Sequence, residues 1–262
     1  KKIKRYVPPI VFAFLLAIPL VVQSNYLFSM LIVIGLYTMI VQGLGILMGY
    51  AGQISLGHAA FFGLGAYTSA ILTTRFSWIP ILALIASIVI PGIVAALIGR
   101  QTLKLRELYL ALATLGFGIL VSIIFNEGGS FTGGPSGISG IPNLRIGSFV
   151  INSDQEFYIF VWAILILLFV GIRNLVHSRT GRALCAIRES EYAAENAGID
   201  CAKLKLQAFI FSALLAGLAG GLYAFYITFI SPSPFSFHAS VQFVLMAVIG
   251  GLGTFWGPLL GA

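Results

Sequence analysis

Gln53, Ser55 and His58 are the first place in this chain where side-chain chemistry could occur. They stand in Gly52-Gln53-Ile54-Ser55-Leu56-Gly57-His58, at the entrance of a stretch that is otherwise apolar. An amide, a hydroxyl and an imidazole can each donate and accept hydrogen bonds, so together they could line a path for a polar solute. They could equally pin a broken helix by bonding its freed backbone groups. Hydrolysis is not indicated. The three histidines, His58, His177 and His238, fall in separate regions, with no Ser-His-Asp set and no His-Glu-x-x-His run. No second His or Cys stands near His58, so no metal site is expected. Cys185 and Cys201 share one loop and read as reduced thiols. No Gly-Lys dipeptide occurs, which argues against a phosphate loop and a nucleotide site of that kind. The chemistry open to this chain is binding and passage.

Two further clusters are polar. Arg188-Glu189-Ser190-Glu191-Tyr192-Ala193-Ala194-Glu195-Asn196-Ala197-Gly198 lies in a hydrophilic loop at about 176–203. Good helix formers followed by a glycine that can turn left-handed predict a short, rigid helix. Ala193 and Ala194 would let a partner approach closely, with Arg188, Glu189, Glu191 and Glu195 as a charged rim. A solvated loop helix without a partner is the plainer reading. The other cluster is the glycine-rich run from Asn126 to Pro142, which includes Thr132, Gly133, Gly134 and Ser139. By itself it reads as a flexible connection.

The elements that position these residues are membrane helices. The sequence is 59% hydrophobic and 9% charged, with a mean hydropathy of +1.01; soluble domains carry about 25% charged residues. Apolar runs long enough to span a bilayer recur, and no alternating ten-residue pattern favours a β-barrel. The expected fold is an all-α polytopic bundle of about eight spans or more, with broken glycine-rich helices, as one domain over residues 1–262. Spans are predicted at about 8–23, 27–48, 55–74, 79–98 (with a kink at Pro91-Gly92), 108–126, 157–174, 205–229 and from 239 onward.

With the N-terminus in the cytoplasm and alternating spans, 13 of the 15 basic residues fall inside, leaving Arg75 and Arg145 outside. The net charge of +7 then reflects this bias and contact with anionic lipid, not nucleic acid, since no basic patch is interleaved with exposed aromatics. Small residues four apart predict close helix packing: Ser55, Ala59 and Gly63; Ala213, Gly217 and Gly221; Gly45 and Gly49. No Asp or Glu falls mid-span, where an ion-driven transporter would usually carry its coupling charge.

Several of these stretches resemble one family. Gly52-Gln53-Ile54-Ser55-Leu56-Gly57 with Gly65-Ala66-Tyr67 is similar to a segment of branched-chain amino acid permeases of ABC importers. The run Arg188 to Gly198 resembles the coupling motif of these permeases, with Tyr192 where the general importer motif has Glu. Thr132-Gly133-Gly134 through Ser139-Gly140-Ile141-Pro142 looks like the family's external loop, and Gly250-Gly251-Leu252-Gly253-Thr254 through Gly257-Pro258 resembles its closing segment. The resemblance implies a permease subunit in the prokaryotic plasma membrane, without its own ATPase site. It would carry leucine, isoleucine and valine inward by alternating access.

Its implied partners are a homologous second permease subunit, in a heterodimer in preference to a homodimer, two cytoplasmic ATPase subunits that hold ATP and Mg, and an extracytoplasmic substrate-binding protein. Residues 188–198 would contact the ATPases. Thr132, Gly133, Gly134 and Ser139 would contact the binding protein, and Gln53, Ser55 and His58 would line the path. The alternatives are the same machine for urea or short amides, or an ATP-independent secondary transporter or channel.

Overall fold

Long runs of Leu, Ile, Val, Phe and Ala become helices, and these stop at capping hydroxyls, carboxylates and glycines. The computed structural model describes residues 24–102, 107–147 and 149–262. In chain order the helices are α1 (Asn25–Leu44), α2 (His58–Thr74), α3 (Pro80–Thr102), α4 (Glu107–Glu127), α5 (Asp154–His177), α6 (Arg179–Glu189), α7 (Glu191–Asn196), α8 (Cys201–Ile227), α9 (Phe237–Gly250) and α10 (Gly257–Gly261). A single helical turn, Gly129–Thr132, follows α4, and α1 runs on through a π-helical turn, Gly45–Tyr50.

Among the described residues, five helices are long and apolar enough to cross a membrane: Asn25–Tyr50, α3, the Tyr109–Glu127 part of α4, α5 and α8. Among the described residues the expected count of eight or more spans is therefore not confirmed. The span predicted at 8–23 lies outside the described residues. The one predicted at 55–74 begins only at His58, leaving a 17-residue helix. The last, α9, has 14 residues. At about 1.5 Å per residue neither matches a hydrocarbon core of about 30 Å.

Helix α8 is the axis of the bundle, packed against α1, α2 and α3. Its small residues make that possible. A Cβ on Gly220 would overlap the Phe62 carbonyl of α2, and a Cβ on Gly65 would overlap the Gly217 backbone. On the α3 side, Gly217 and Gly221 face Ser87 and Pro91. Pro91 has no amide to offer the Ser87 carbonyl four residues back, and Gly217 sits against that carbonyl. The predicted Pro91 irregularity thus serves as a packing surface. Ser55 does not continue the Ala59–Gly63 row, because it precedes the first turn of α2. Helices α3 and α4 instead expose apolar stripes, Leu82, Ile85, Val89, Ile93 and Leu97 on the first, Leu112, Ile119 and Ile123 on the second. Such faces suit lipid or another apolar subunit.

The two ends of the bundle are built differently. At one end the strands β1 (Ile138–Ser139) and β4 (Phe229–Ile230) pair antiparallel, Ile138 opposite Ile230 and Ser139 opposite Phe229. They bind the glycine-rich loop to the end of α8, where Thr228 turns the chain at φ 58°. Between them in sequence, β2 (Arg145–Ile146) and β3 (Phe149–Val150) form a small hairpin. At the other end, the loop after α1, the end of α6 and the turn after α9 meet.

Candidate functional site

The polar segment at 51–60 is a junction of five elements. The backbone amide of Gln53 donates to the Leu47 carbonyl at 2.9 Å. Leu56 donates its amide to Thr114 Oγ1 on α4 at 3.0 Å, and Ala59 donates to Ser240 Oγ on α9 at 3.1 Å. The first amides of a helix have no partner within it, and here hydroxyls from neighbouring helices supply one. His58 is buried and uses both ring nitrogens: Nδ1 lies 3.0 Å from Ser55 Oγ, and Nε2 2.6 Å from Ser212 Oγ on α8. Gly57 is pressed on the Thr114 carbonyl, leaving no room for a Cβ. Ser55 and His58 are thus brought together, bonded to each other and to α8. Gln53 is buried nearby in sequence, and its Oε1 has no protein partner. The sequence reading missed Thr114, Ser212 and Ser240. Their signal was present: a lone hydroxyl in an apolar helix must find a partner.

The loop at 176–203 forms two helices before α8, and three polar residues divide it. Ser178 Oγ accepts from the Gly181 amide at 3.3 Å, Ser190 Oγ from Ala193 at 3.3 Å, and Asp200 Oδ1 from Lys203 at 3.0 Å. Each is an N-cap. The single helix expected over 188–198 is therefore broken at Ser190: Arg188 and Glu189 end α6, while Glu191, Ala193, Ala194 and Glu195 belong to α7. Gly198 closes α7 at φ 80°, with Gly198 N–H donating to Glu195 O and Ile199 N–H to Ala194 O, the left-handed cap its sequence position suggests.

The expected surfaces divide accordingly. Ala193, Glu189, Glu195 and Tyr192 are exposed. Ala194 is not open to a partner, since it packs inward with Ile187 and Cys201. Glu191 pairs with Lys205 of α8 at 2.6 Å. Arg188 is exposed as well, and its Nη1 donates to the Gly49 carbonyl at the end of the π-helical turn. Its stem lies over Gly52, and Nη1 is 3.6 Å from where a Cβ on Gly253 would sit. Gly49 and Gly253 are in backbone contact, and Tyr50 donates its hydroxyl to the Gly253 carbonyl at 2.9 Å. One guanidinium thus ties the end of α6 to the π-helical turn that ends α1, beside the turn after α9.

At the opposite end, Thr132 is buried; its hydroxyl donates to the Phe125 carbonyl at 2.9 Å and accepts from Gly134 N–H at 3.3 Å. Gly133 and Gly134 both have positive φ, 77° and 55°. These three shape the turn, and of the four expected contact residues Ser139 is the exposed one. Phe131 is exposed as well and lies under the Arg75 guanidinium, 5.8 Å from the ring centre.

A family described as "Branched-chain amino acid transport system / permease component" matches residues 26–262. The chain belongs to that family. Among its relatives, the high-affinity branched-chain amino acid transport system permease protein LivM of Escherichia coli (strain K12) is 33% identical over 255 residues, covering 87% of this chain and 59% of that protein. The chain thus spans under two thirds of that relative's length. A probable branched-chain amino acid transport permease protein LivM of Methanocaldococcus jannaschii is 26% identical over 277 residues, 91% of this chain and 79% of the relative. A LivH permease of Salmonella typhimurium is 25% identical over 241 residues, 86% and 78%. No solved structure matches. In this branched-chain permease family member, a multi-pass membrane protein, three of the four family-like segments meet in space: the Gly-Gln-Ile-Ser-Leu-Gly loop, the loop helix and the Gly-Gly-Leu-Gly-Thr turn converge on Arg188.

Proposed function

We propose that the chain is the membrane-spanning permease subunit of an ATP-binding-cassette importer that moves leucine, isoleucine and valine inward by alternating access. The observation that carries this reading is the exposed α6–α7 peg joined through Arg188 to the end of α1, where Tyr50 in turn bonds the turn after α9. A soluble motor gripping the peg would pull on the bundle at that point. Two ATPase subunits, holding ATP and Mg, supply the free-energy difference between the two states, and the permease transmits it. A second, homologous permease completes the pair, and an external binding protein delivers substrate to the end that carries β1 and β4. The substrate class comes from the relatives' names; the apolar helices with few polar groups support it, because an aliphatic zwitterion needs a mostly apolar route. The same reading places the peg in the cytoplasm.

Deleting residues 188–198 tests the proposal. ATPase subunits should no longer co-purify with the permease, and uptake into cells should stop. Unchanged uptake after the deletion would instead point to an ATP-independent transporter or channel.

A further inference from the structure

We propose that Gln42 heads a binding site for the zwitterionic end of an aliphatic amino acid, in the cavity between α1, α5 and the turn that precedes α10. This deepens the permease reading and rests on it. Gln42 is 3% exposed, and neither its amide nitrogen nor its amide oxygen has a protein hydrogen-bond partner. It stands two turns before Tyr50, about 12 Å along the helix, within a span. A buried amide with both ends unmatched is costly, and polar groups inside membrane spans mark pathways by default.

Gln42 lines a cavity of about 60 Å³. One part of the wall is apolar, from Ile46, Phe169, Ile172 and Val176; beside Gln42, its polar members are Tyr50, Arg173, His177 and Thr254. That division matches an amino acid with a branched aliphatic side chain. The ammonium group needs an acceptor and the carboxylate a donor. One amide offers both and brings no net charge into the membrane interior. The Arg173 guanidinium, in the last turns of α5, adds a charged partner for the carboxylate.

The cavity is also wired to the peg. Gly45, Ile46 and Tyr50 of the π-helical turn form part of its wall, and the same turn carries the Gly49 carbonyl that Arg188 holds. Single π turns inside α-helices occur often at functional sites. The volume is far below the roughly 300–1,000 Å³ of pockets that enclose a whole ligand. This conformation therefore holds the site contracted, and movement of the π turn opens it.

The test uses the permease purified in its native complex, with exposed Cys185→Ser and a Val176→Cys reporter in the cavity wall. A small maleimide modifies the introduced thiol, and leucine should slow the reaction. Gln42→Leu should weaken that protection about ten-fold, the loss expected for one hydrogen bond to a charged group. The variant removes an unmatched amide, so its melting temperature should be equal or higher, which separates lost binding from lost folding. Equal protection by Q42L, or no protection by leucine in the parent, overturns the proposal and leaves the amide to water. Protection without leucine uptake would support the site and count against the importer reading, whereas uptake without protection would do the reverse.

Discussion

Arg188 sits among acidic residues in sequence, but in space its head lies on backbone oxygen. The Gly49 carbonyl is available because the chain leaves α-helical winding at Gly45, and Gly52 lets the Arg188 stem lie close over the loop. Two consequences follow for substitution. Arg188→Ala should leave the exposed α7 surface intact, so ATPase subunits should still co-purify. Uptake should fall about ten-fold or more, because a charge-assisted bond to a carbonyl is lost. Arg188→Lys should recover part of it, since an ammonium can still donate to the Gly49 carbonyl but lacks the planar, rigid fork of the guanidinium. Uptake at the parent rate in the Ala variant would remove Arg188 from the transmission path.

At the scale of elements, the peg has two faces that neighbouring residues of one type report separately. Ala193→Glu adds charge to an exposed face and should leave folding unchanged while weakening ATPase association. Ala194→Glu drives a carboxylate between Ile187 and Cys201. It should destabilise the α6–α7 joint by several kcal/mol, or about 3–5 in the range of unpaired buried charges, seen as rapid proteolysis after Ser190. The sequence shows this loop to be helical and Gly198 to be its stop, since both depend on local propensity. It does not show which alanine faces inward. That depends on Ser190 restarting the helix, a hydroxyl cap that breaks the periodic count running through Arg188. Likewise the capping box that opens α5, Ser153 with Glu156, was legible in Ser-Asp-Gln-Glu but begins four residues before the apolar run that placed the span at 157.

Across the whole molecule, hydropathy locates the spans well because each is a long local signal. Hydropathy leaves their order in space open, which depends on pairs far apart in sequence. Gly217 shows this: the four-residue spacing predicts close packing, but its two partners, Gly65 and the carbonyl freed by Pro91, become visible only in three dimensions. Gly217→Leu should therefore disturb α2 and α3 at once. A loss of about 1–3 kcal/mol or more is expected for overpacking, read as a lower melting temperature of the purified complex in detergent. Gly116, where a Cβ would meet nothing within 4 Å, provides the control, and Gly116→Ala should melt no lower than the parent. The polar junction around His58 was similarly half legible. Ser55 and His58 stand out in an apolar context, while Thr114, Ser212 and Ser240 each look like an isolated hydroxyl until α4, α8 and α9 are assembled around them.

The short pairing of β1 with β4 also bears on how the proposed binding protein would meet this surface. Its two strands come from distant parts of the chain, so the exposed glycine-rich segment is already fastened to the main axis of the bundle before any visitor arrives. Docking there need not wait for the segment to order itself. Encounter rates should then depend on ionic strength through Arg75 and Arg145, and little on viscosity-independent rearrangement of the chain.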